Sequence, residues 1–296
     1  DDRLSPMLQT NRGCPFKCTF CVDGADSVNK VNSFSLERVY SDIDYIATHV
    51  PKKMHDLETS DLNFGMFPRD IEICQYLAKI QQKYNYPHNV HVTTGKNNKE
   101  RIIKAIECLA GSISFGMSVQ SMNDEVLENV RRSNISVEKM IGLKPAIKNS
   151  GLDTSSEVIL GLPGETFETH LQTLRTLLGV NVDNIVVFSC MLLKGSQMDT
   201  PEQRKKWDLK TKFRILINDF AKLSNGKKVI EIEEIVIGSN TMTFEDYLNL
   251  REIDLAIYAT NTVSVFKPIL KFIREHEIDM GELFQRIAKQ DTDNTP

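Results

Sequence analysis

Parallel βα units that close, partly or fully, into a barrel are the fold class this sequence predicts. Three observations carry that prediction. Apolar periodicity switches between helix-like and strand-like about six times over roughly the first two hundred residues. The connections between these segments are only a few residues long, as strands joined by crossover helices require. A cysteine-rich loop directly follows the first strand, at the end of the unit where parallel barrels carry their reactive groups.

Met7 to Asn11 reads as the first strand, delivering a loop that begins Gly13-Cys14. Ser35 is a natural N-cap for a helix whose Val39, Ile43 and Ile46 share one face. Leu57 to Phe64 is a short strand entering a loop, and Pro68 opens a helix with Ile71, Cys74 and Ala78 on one stripe. Asn89 to Thr94 is β-branched and alternating, Lys99 to Leu109 is helical, and Ser112 to Val119 is extended. Asn123 to Val130 and Val137 to Asn149 read as helices, with Gly151 as the cap of the second. Thr154 to Leu160 is a strand, Phe167 to Leu178 a helix aligning Phe167, Leu171, Leu174 and Leu178, and Asn184 to Leu193 a sixth strand.

Beyond Thr200 the alternation lapses. Lys212 to Leu223 reads as helix, Val229 to Ile237 as strand, and Thr243 to Ile287 as mostly helical with Pro268 opening or interrupting a turn. The expected organisation is a core over residues 1–199, a mainly helical C-terminal extension over 200–288 that packs on the barrel, and a flexible tail over 289–296. The extension is expected to cover part of the barrel and help confine a substrate; support of the outer helices is the plainer alternative.

With 296 residues, of which 41% are hydrophobic and 26% charged, the chain can bury a sizeable core, which excludes disordered and disulfide-dense classes. Thirty-six Lys and Arg stand against 40 Asp and Glu, so composition gives no support for nucleic-acid binding. No apolar run approaches the roughly 18 residues of a membrane helix, and Asp1 to Pro6 lack signal-peptide character, so the expected location is cytoplasmic. The chain begins at Asp1 rather than Met, which leaves room for a natural N-terminal neighbour.

Of six cysteines, Cys14, Cys18 and Cys21 crowd into one loop while Cys74, Cys108 and Cys190 stand alone. A structural zinc site wants four ligands in paired knuckles, and a closed all-cysteine cluster wants four thiolates; only three are near. Three thiolates leave one iron of a four-iron cluster open to a small-molecule ligand, which describes a reactive site. A zinc site or an inert cluster is the alternative reading of the same cysteines.

The string Thr10-Asn-Arg-Gly-Cys14-Pro-Phe-Lys-Cys18-Thr-Phe20-Cys21, at the start of a βα series, resembles the radical S-adenosylmethionine superfamily. The resemblance implies a partial (β/α)6 TIM-like barrel over about residues 7 to 195. It implies that Cys14, Cys18 and Cys21 hold a 4Fe-4S cluster whose fourth iron binds S-adenosylmethionine. One-electron reduction would then give methionine and a 5′-deoxyadenosyl radical that takes hydrogen from a substrate. The same resemblance places the cofactor against Phe20, against the Phe64-Gly65 turn after the second strand, and against Ser118 and Gln120 at the end of the fourth. It further assigns an arginine to the cofactor carboxylate, with Arg132 preferred over Arg131, and Gly161 in the string Glu157-Val-Ile-Leu-Gly161-Leu-Pro-Gly164-Glu165 to the adenine. A solvated helix face is the plain reading of either arginine, and a simple turn that of Gly65. Glu157 stands where relatives often have Asp. Gly161 to Gly164 lacks the Lys-Ser/Thr of a phosphate loop.

Cys74 and Cys108 read as core residues. Cys190 is the weak catalytic candidate, a hydrogen-atom donor at the barrel mouth, against simple core packing. The histidines form no paired metal motif, and no cysteine after Cys190 suggests an auxiliary cluster. Trp207 and Glu231 to Glu234 read as surface or extension features.

Within the superfamily the strings look closest to the Fe-S oxidoreductases that often carry an upstream cobalamin-binding domain. Cobalamin is expected only if such a domain precedes this sequence, in which case the chain is the core of a methyltransferase; otherwise the enzyme works without it. A methylthiotransferase is disfavoured, because neither a cysteine-bearing domain before the core nor a small β-barrel after it is visible. A non-catalytic iron-sulfur or zinc module is the rival from another class. Implied partners are a small-molecule or peptide substrate and a reductant such as flavodoxin or ferredoxin.

Overall fold

The computed structural model describes residues 4–95, 99–109, 111–113, 116–134, 142, 154–262, 266–276 and 278–289. Strands β1 (Met7–Leu8), β4 (Asp56–Thr59) and β5 (Asn89–His91) form a parallel sheet in the order β1-β4-β5. Strands β6 (Gly116–Gln120), β7 (Ser155–Leu160) and β8 (Asn184–Ser189) form a second in the order β6-β7-β8. A parallel bridge from Val90 to Ile113, with the Val90 N–H on the Ser112 carbonyl at 2.6 Å, links β5 to the segment entering β6.

Helices fill the crossovers. In α1 (Leu36–His49) the Ser35 hydroxyl accepts the Arg38 N–H, and Val39 and Ile43 are buried. In α2 (Pro68–Tyr84) proline starts the helix and Asp70 accepts the Phe67 N–H at 2.9 Å. Its fully buried stripe is Ile73, Cys74, Leu77 and Ile80, with Ile71 and Ala78, expected from spacing, partly buried at its margin against the same core. Helices α3 (Lys99–Cys108) and α4 (Asp124–Asn129) follow β5 and β6, and α5 (Phe167–Gly179), capped by Thr166, buries Leu171, Leu174 and Leu178. The helix expected over Val137 to Asn149 and its Gly151 cap lie, Gly142 apart, outside the described residues, as does the tail from 290 onward.

The C-terminal region departs from expectation. Lys212 to Leu223 is not helix but most of β9 (Lys210–Lys222), paired antiparallel with β10 (Lys228–Gly238) after the short α6 (Pro201–Lys206). The extension is therefore part β-ribbon and part helix. Lys212, Phe213, Arg214 and Ile215 alternate polar and apolar, and Asn225-Gly226, with Gly226 at φ 83°, supplies a hairpin turn. Opposite Phe213 and Ile215 lie Glu234 and Ile232, so cross-strand pairing outweighs the weak helical spacing. The outer ribbon is open to solvent, with Ile217 90% exposed.

The base of the ribbon is anchored to the second sheet. Val236 donates to the Cys190 carbonyl at 2.8 Å and Leu192 to the Glu234 carbonyl at 2.9 Å. Glu234, read from sequence as a surface or extension feature, belongs to the extension, where it is largely buried and takes both terminal nitrogens of Arg204 at 2.7 Å; that pair draws its carboxyl down to about 2. Helices α7 (Phe244–Ile257), α8 (Lys267–Glu275) and α9 (Met280–Ala288) follow, and Pro268 sits in the first turn of α8 rather than breaking it. Leu250, Ile257 and Phe284 join the main core, and the Tyr247 and Ser189 hydroxyls bond at 2.9 Å. Among the described residues no helix is long and apolar enough to cross a membrane.

Candidate functional site

Two backbone devices present the cysteine loop. Strand β2 (Asn11–Arg12) pairs antiparallel with β3 (Asn32–Ser33), closing the loop at its base. Asp61, just past β4, is 1% exposed and accepts the Thr10 N–H at 2.8 Å, the Asn11 N–H at 3.1 Å, the Asn11 side-chain amide and the Thr10 hydroxyl. Burial raises the Asp61 carboxyl, and the Thr10 hydroxyl, the two backbone N–H groups and the charge of Arg69 oppose that rise. Gly13, at φ 91°, cannot be replaced without strain, because a Cβ there would lie 2.1 Å from the Lys30 carbonyl oxygen.

The thiols of Cys14, Cys18 and Cys21 share the wall of one cavity of about 220 Å³. Cys14 and Cys18 are buried; Cys21 is half-buried, and burial pushes its thiol up. Among the described residues no three His, Cys, Asp or Glu side chains close around a single ion. A cubane takes each thiolate at a different iron, so its ligands need not meet at one point. The donor set, three thiols on one loop with a buried cation beside them, suits a 4Fe-4S cluster.

That cation is Arg132, 7% exposed on the same cavity. Its Nε donates to Asn134 Oδ1 at 2.9 Å, Nη2 donates to the Ser118 carbonyl, and the guanidinium also reaches Cys18. Burial draws its pKa below the ordinary arginine value, with Cys18 pulling the other way. Arg131, at φ 54°, is exposed and donates to Gln197 at 3.1 Å, so the structure separates the two neighbours. Ser118 and Glu157 face each other across β6 and β7, the hydroxyl donating to the carboxylate at 2.6 Å. Gln120, at φ 64°, is buried with Oε1 unpartnered on the wall, and Phe20 lines the wall beside the cysteines.

Other residues singled out from sequence stand off the wall. Phe64 is 1% exposed in the core, its N–H on Thr93 O at 2.9 Å and its carbonyl accepting Gly95 N–H at 3.0 Å. Gly65, at φ 84°, backs onto Ile102. Gly161, at φ 95°, donates to Glu165 at 2.7 Å and faces Val236 and Cys190. Cys190 is 1% exposed and packs with Val126, Leu162, Leu192, Met198 and Val236; burial pushes its thiol up, and the barrel mouth expected for it is not where it lies. Cys74 is core, as expected. No residue after Glu157 lines the cavity among those described, so the extension packs beside β8 and α5 and does not form the wall.

Sequence reasoning passed over Asn63, Thr93, Thr94 and Asn134, all on the wall. Asn63, Thr93 and Thr94 share a signal of position, since they lie just past the ends of β4 and β5, whereas Asn134 follows α4 and offered none.

The fold and site together define a parallel α/β protein with a three-thiol centre in its first strand-end loops. Residues 8–203 match the family described as the radical SAM superfamily, and the chain belongs to it. Members of that superfamily use a 4Fe-4S cluster and S-adenosylmethionine, act on small-molecule substrates and need a reductant. The chain is 31% identical over 216 residues to the cobalamin-dependent radical SAM methyltransferase TokK of Streptomyces tokunonensis, covering 71% of this chain and 31% of TokK. It is 26% identical over 297 residues to the 2-(S-pantetheinyl)-carbapenam-3-carboxylate methyltransferase of Streptantibioticus cattleyicolor, covering 98% of this chain and 42% of that protein. The chain thus spans less than half the length of either relative. The solved radical S-adenosylmethionine methyltransferase TsrM of Kitasatospora setae, with cobalamin and a 4Fe-4S cluster bound, shares the fold at a TM-score of 0.63 and 13% identity, over 97% of this chain and 61% of TsrM.

Proposed function

We propose that this chain reductively cleaves S-adenosylmethionine at a 4Fe-4S cluster held by Cys14, Cys18 and Cys21. The observation that carries this is the meeting of three thiols and one buried guanidinium on a single cavity at the strand ends. Bound there and reduced by one electron, the cluster supplies cleavage of the sulfonium to methionine and a 5′-deoxyadenosyl radical, which takes hydrogen from a substrate.

The chain's own residues bind and orient. Arg132 takes the methionine carboxylate, its planar fork matching two oxygens. Ser118 and Gln120 hydrogen-bond the ribose hydroxyls, with Glu157 orienting the Ser118 hydroxyl. Phe20 shields the cysteine end from water. Phe64 and Gly65 act by fixing the loop that carries Asn63, and Gly161 by shaping the turn after β7. Residues 1–199 form the catalytic core, a partial (β/α)6 barrel supported by the Val90–Ile113 bridge between the two parallel sheets. Residues 200–288 form the extension.

A second reading, methyl transfer with cobalamin held by a segment beyond this sequence, is favoured by the TokK and carbapenam relatives. Electron supply from a flavodoxin or ferredoxin, a small-molecule or peptide substrate, and a reducing cytoplasmic setting complete the proposal; six cysteines present as thiols rather than disulfides support that setting.

The test is anaerobic reconstitution, reduction with dithionite, and chromatography for methionine and 5′-deoxyadenosine. Iron-loaded protein that releases neither would make the chain a non-catalytic cluster module. A cobalamin-binding domain encoded ahead of these residues in the natural gene would favour methyl transfer. Arg132→Ala is expected to weaken S-adenosylmethionine binding by about 2 to 4 kcal/mol, because a desolvated charge-assisted pair is lost. Arg131→Ala is expected to bind as the parent does. Equilibrium dialysis checks both, and the reverse ranking would reassign the carboxylate contact.

A further inference from the structure

Cys14 is met by a side chain from another crossover. Asn63 Nδ2 lies 3.2 Å from Cys14 Sγ, with both residues buried. An iron-bound thiolate only accepts, so the amide must turn its N–H toward the sulfur and its oxygen away. That oxygen, Oδ1, is buried and has no hydrogen-bond partner among the described residues. A half-satisfied carboxamide is costly in a place where an apolar side chain would pack.

The backbone leaves Asn63 little freedom to turn aside. Phe64 is pinned on both sides, by Thr93 at 2.9 Å and Gly95 at 3.0 Å, and its ring is sunk in the core. The Asn63 carbonyl accepts the Met66 N–H at 3.3 Å, and Asp61, two residues earlier, is tied to Thr10 and Asn11. The loop that carries the donor and the loop that carries the acceptor are thus clamped to each other.

We infer that Asn63 sets the reduction potential of the cluster through an N–H···S hydrogen bond to the Cys14 thiolate. This rests on the three-cysteine reading above. An added electron increases the negative charge shared by the thiolate sulfurs, and a fixed donor in a buried site stabilises the reduced state more than the oxidised one. The potential is therefore less negative than it would be without the amide, which eases delivery of the electron. Arg132 beside Cys18 is present in every variant below and so does not enter the comparison.

The experiment compares reconstituted parent, Asn63→Leu, which removes the donor at similar volume, and Asn63→Asp, which replaces the amide with an acceptor-only anion. Iron and sulfide per chain are measured first. A dye-mediated dithionite titration without S-adenosylmethionine is then followed by electron paramagnetic resonance. At the parent's midpoint, Asn63→Leu is expected to show a reduced-to-oxidised ratio about tenfold lower, which is ~59 mV for a one-electron couple; Asn63→Asp is expected to fall further. A fully loaded Asn63→Leu with the parent's ratio overturns the inference. Failure of both variants to load where the parent loads also overturns it, making Asn63 a loop support. A parent that holds no cluster is a different result and overturns the three-cysteine reading itself.

Discussion

Alanine at Cys14, Cys18 and Cys21 together is expected to abolish binding of about four irons per chain and all reductive cleavage of S-adenosylmethionine, the complete effect that three-thiolate ligation demands. Cys74→Ala is expected to keep both. The contrast follows from placement: the three thiols share one cavity wall, whereas Cys74 is 0% exposed on α2 among Ile73, Leu77 and Ile80. Burial pushes the Cys74 thiol up, away from the thiolate form that metal binding needs. Iron and sulfide assays with visible absorption after anaerobic reconstitution check this. Retained iron in the triple variant, or its loss in Cys74→Ala, would move the centre elsewhere.

The cysteine loop was legible because its information is local: ligand spacing, Gly13 at the strand end and Phe20 beside the last ligand all fall within a dozen residues. Arg132 could be placed in the right turn of chain but told from Arg131 only by preference, since a single backbone residue at φ 54° decides which guanidinium turns inward. Asn63 was out of reach, because a hydrogen bond to a cysteine 49 positions earlier is a property of how two crossovers stack. Its neighbours Phe64 and Gly65 drew attention through the motif they occupy, while the structure gives them the task of holding it. In the extension the error had a readable cause. Asn225-Gly226 is a strong hairpin signal, and weighing it would have turned Lys212 to Leu223 into a strand.

His170→Leu is expected to destabilise the fold by about 3 to 5 kcal/mol, the scale for removing one member of a buried ionic network. His170 is 0% exposed, with Nδ1 3.0 Å from Glu165 Oε1 and Nε2 3.4 Å from Asp254 Oδ1 on α7. Glu165 also accepts the Gly161 N–H at 2.7 Å, and its carbonyl accepts the Thr241 hydroxyl at 2.7 Å, so this cluster joins the turn after β7 to the extension. Burial alone would lower the imidazole pKa, but Glu165 and then Asp254 outweigh it and raise the group to about 10. A pKa raised in the folded state contributes stability that is fully present below the unfolded value of about 6.5 and lost as pH rises through the folded one. The stability gap between parent and His170→Leu should therefore be widest near pH 6 and shrink toward pH 10. Urea unfolding at a series of pH values checks it, with the difference between the two proteins cancelling the titration of exposed Lys and Tyr. A gap below 1 kcal/mol at pH 6, or one that stays constant to pH 10, would mean that the imidazole is held neutral and that packing rather than charge joins the extension to the core.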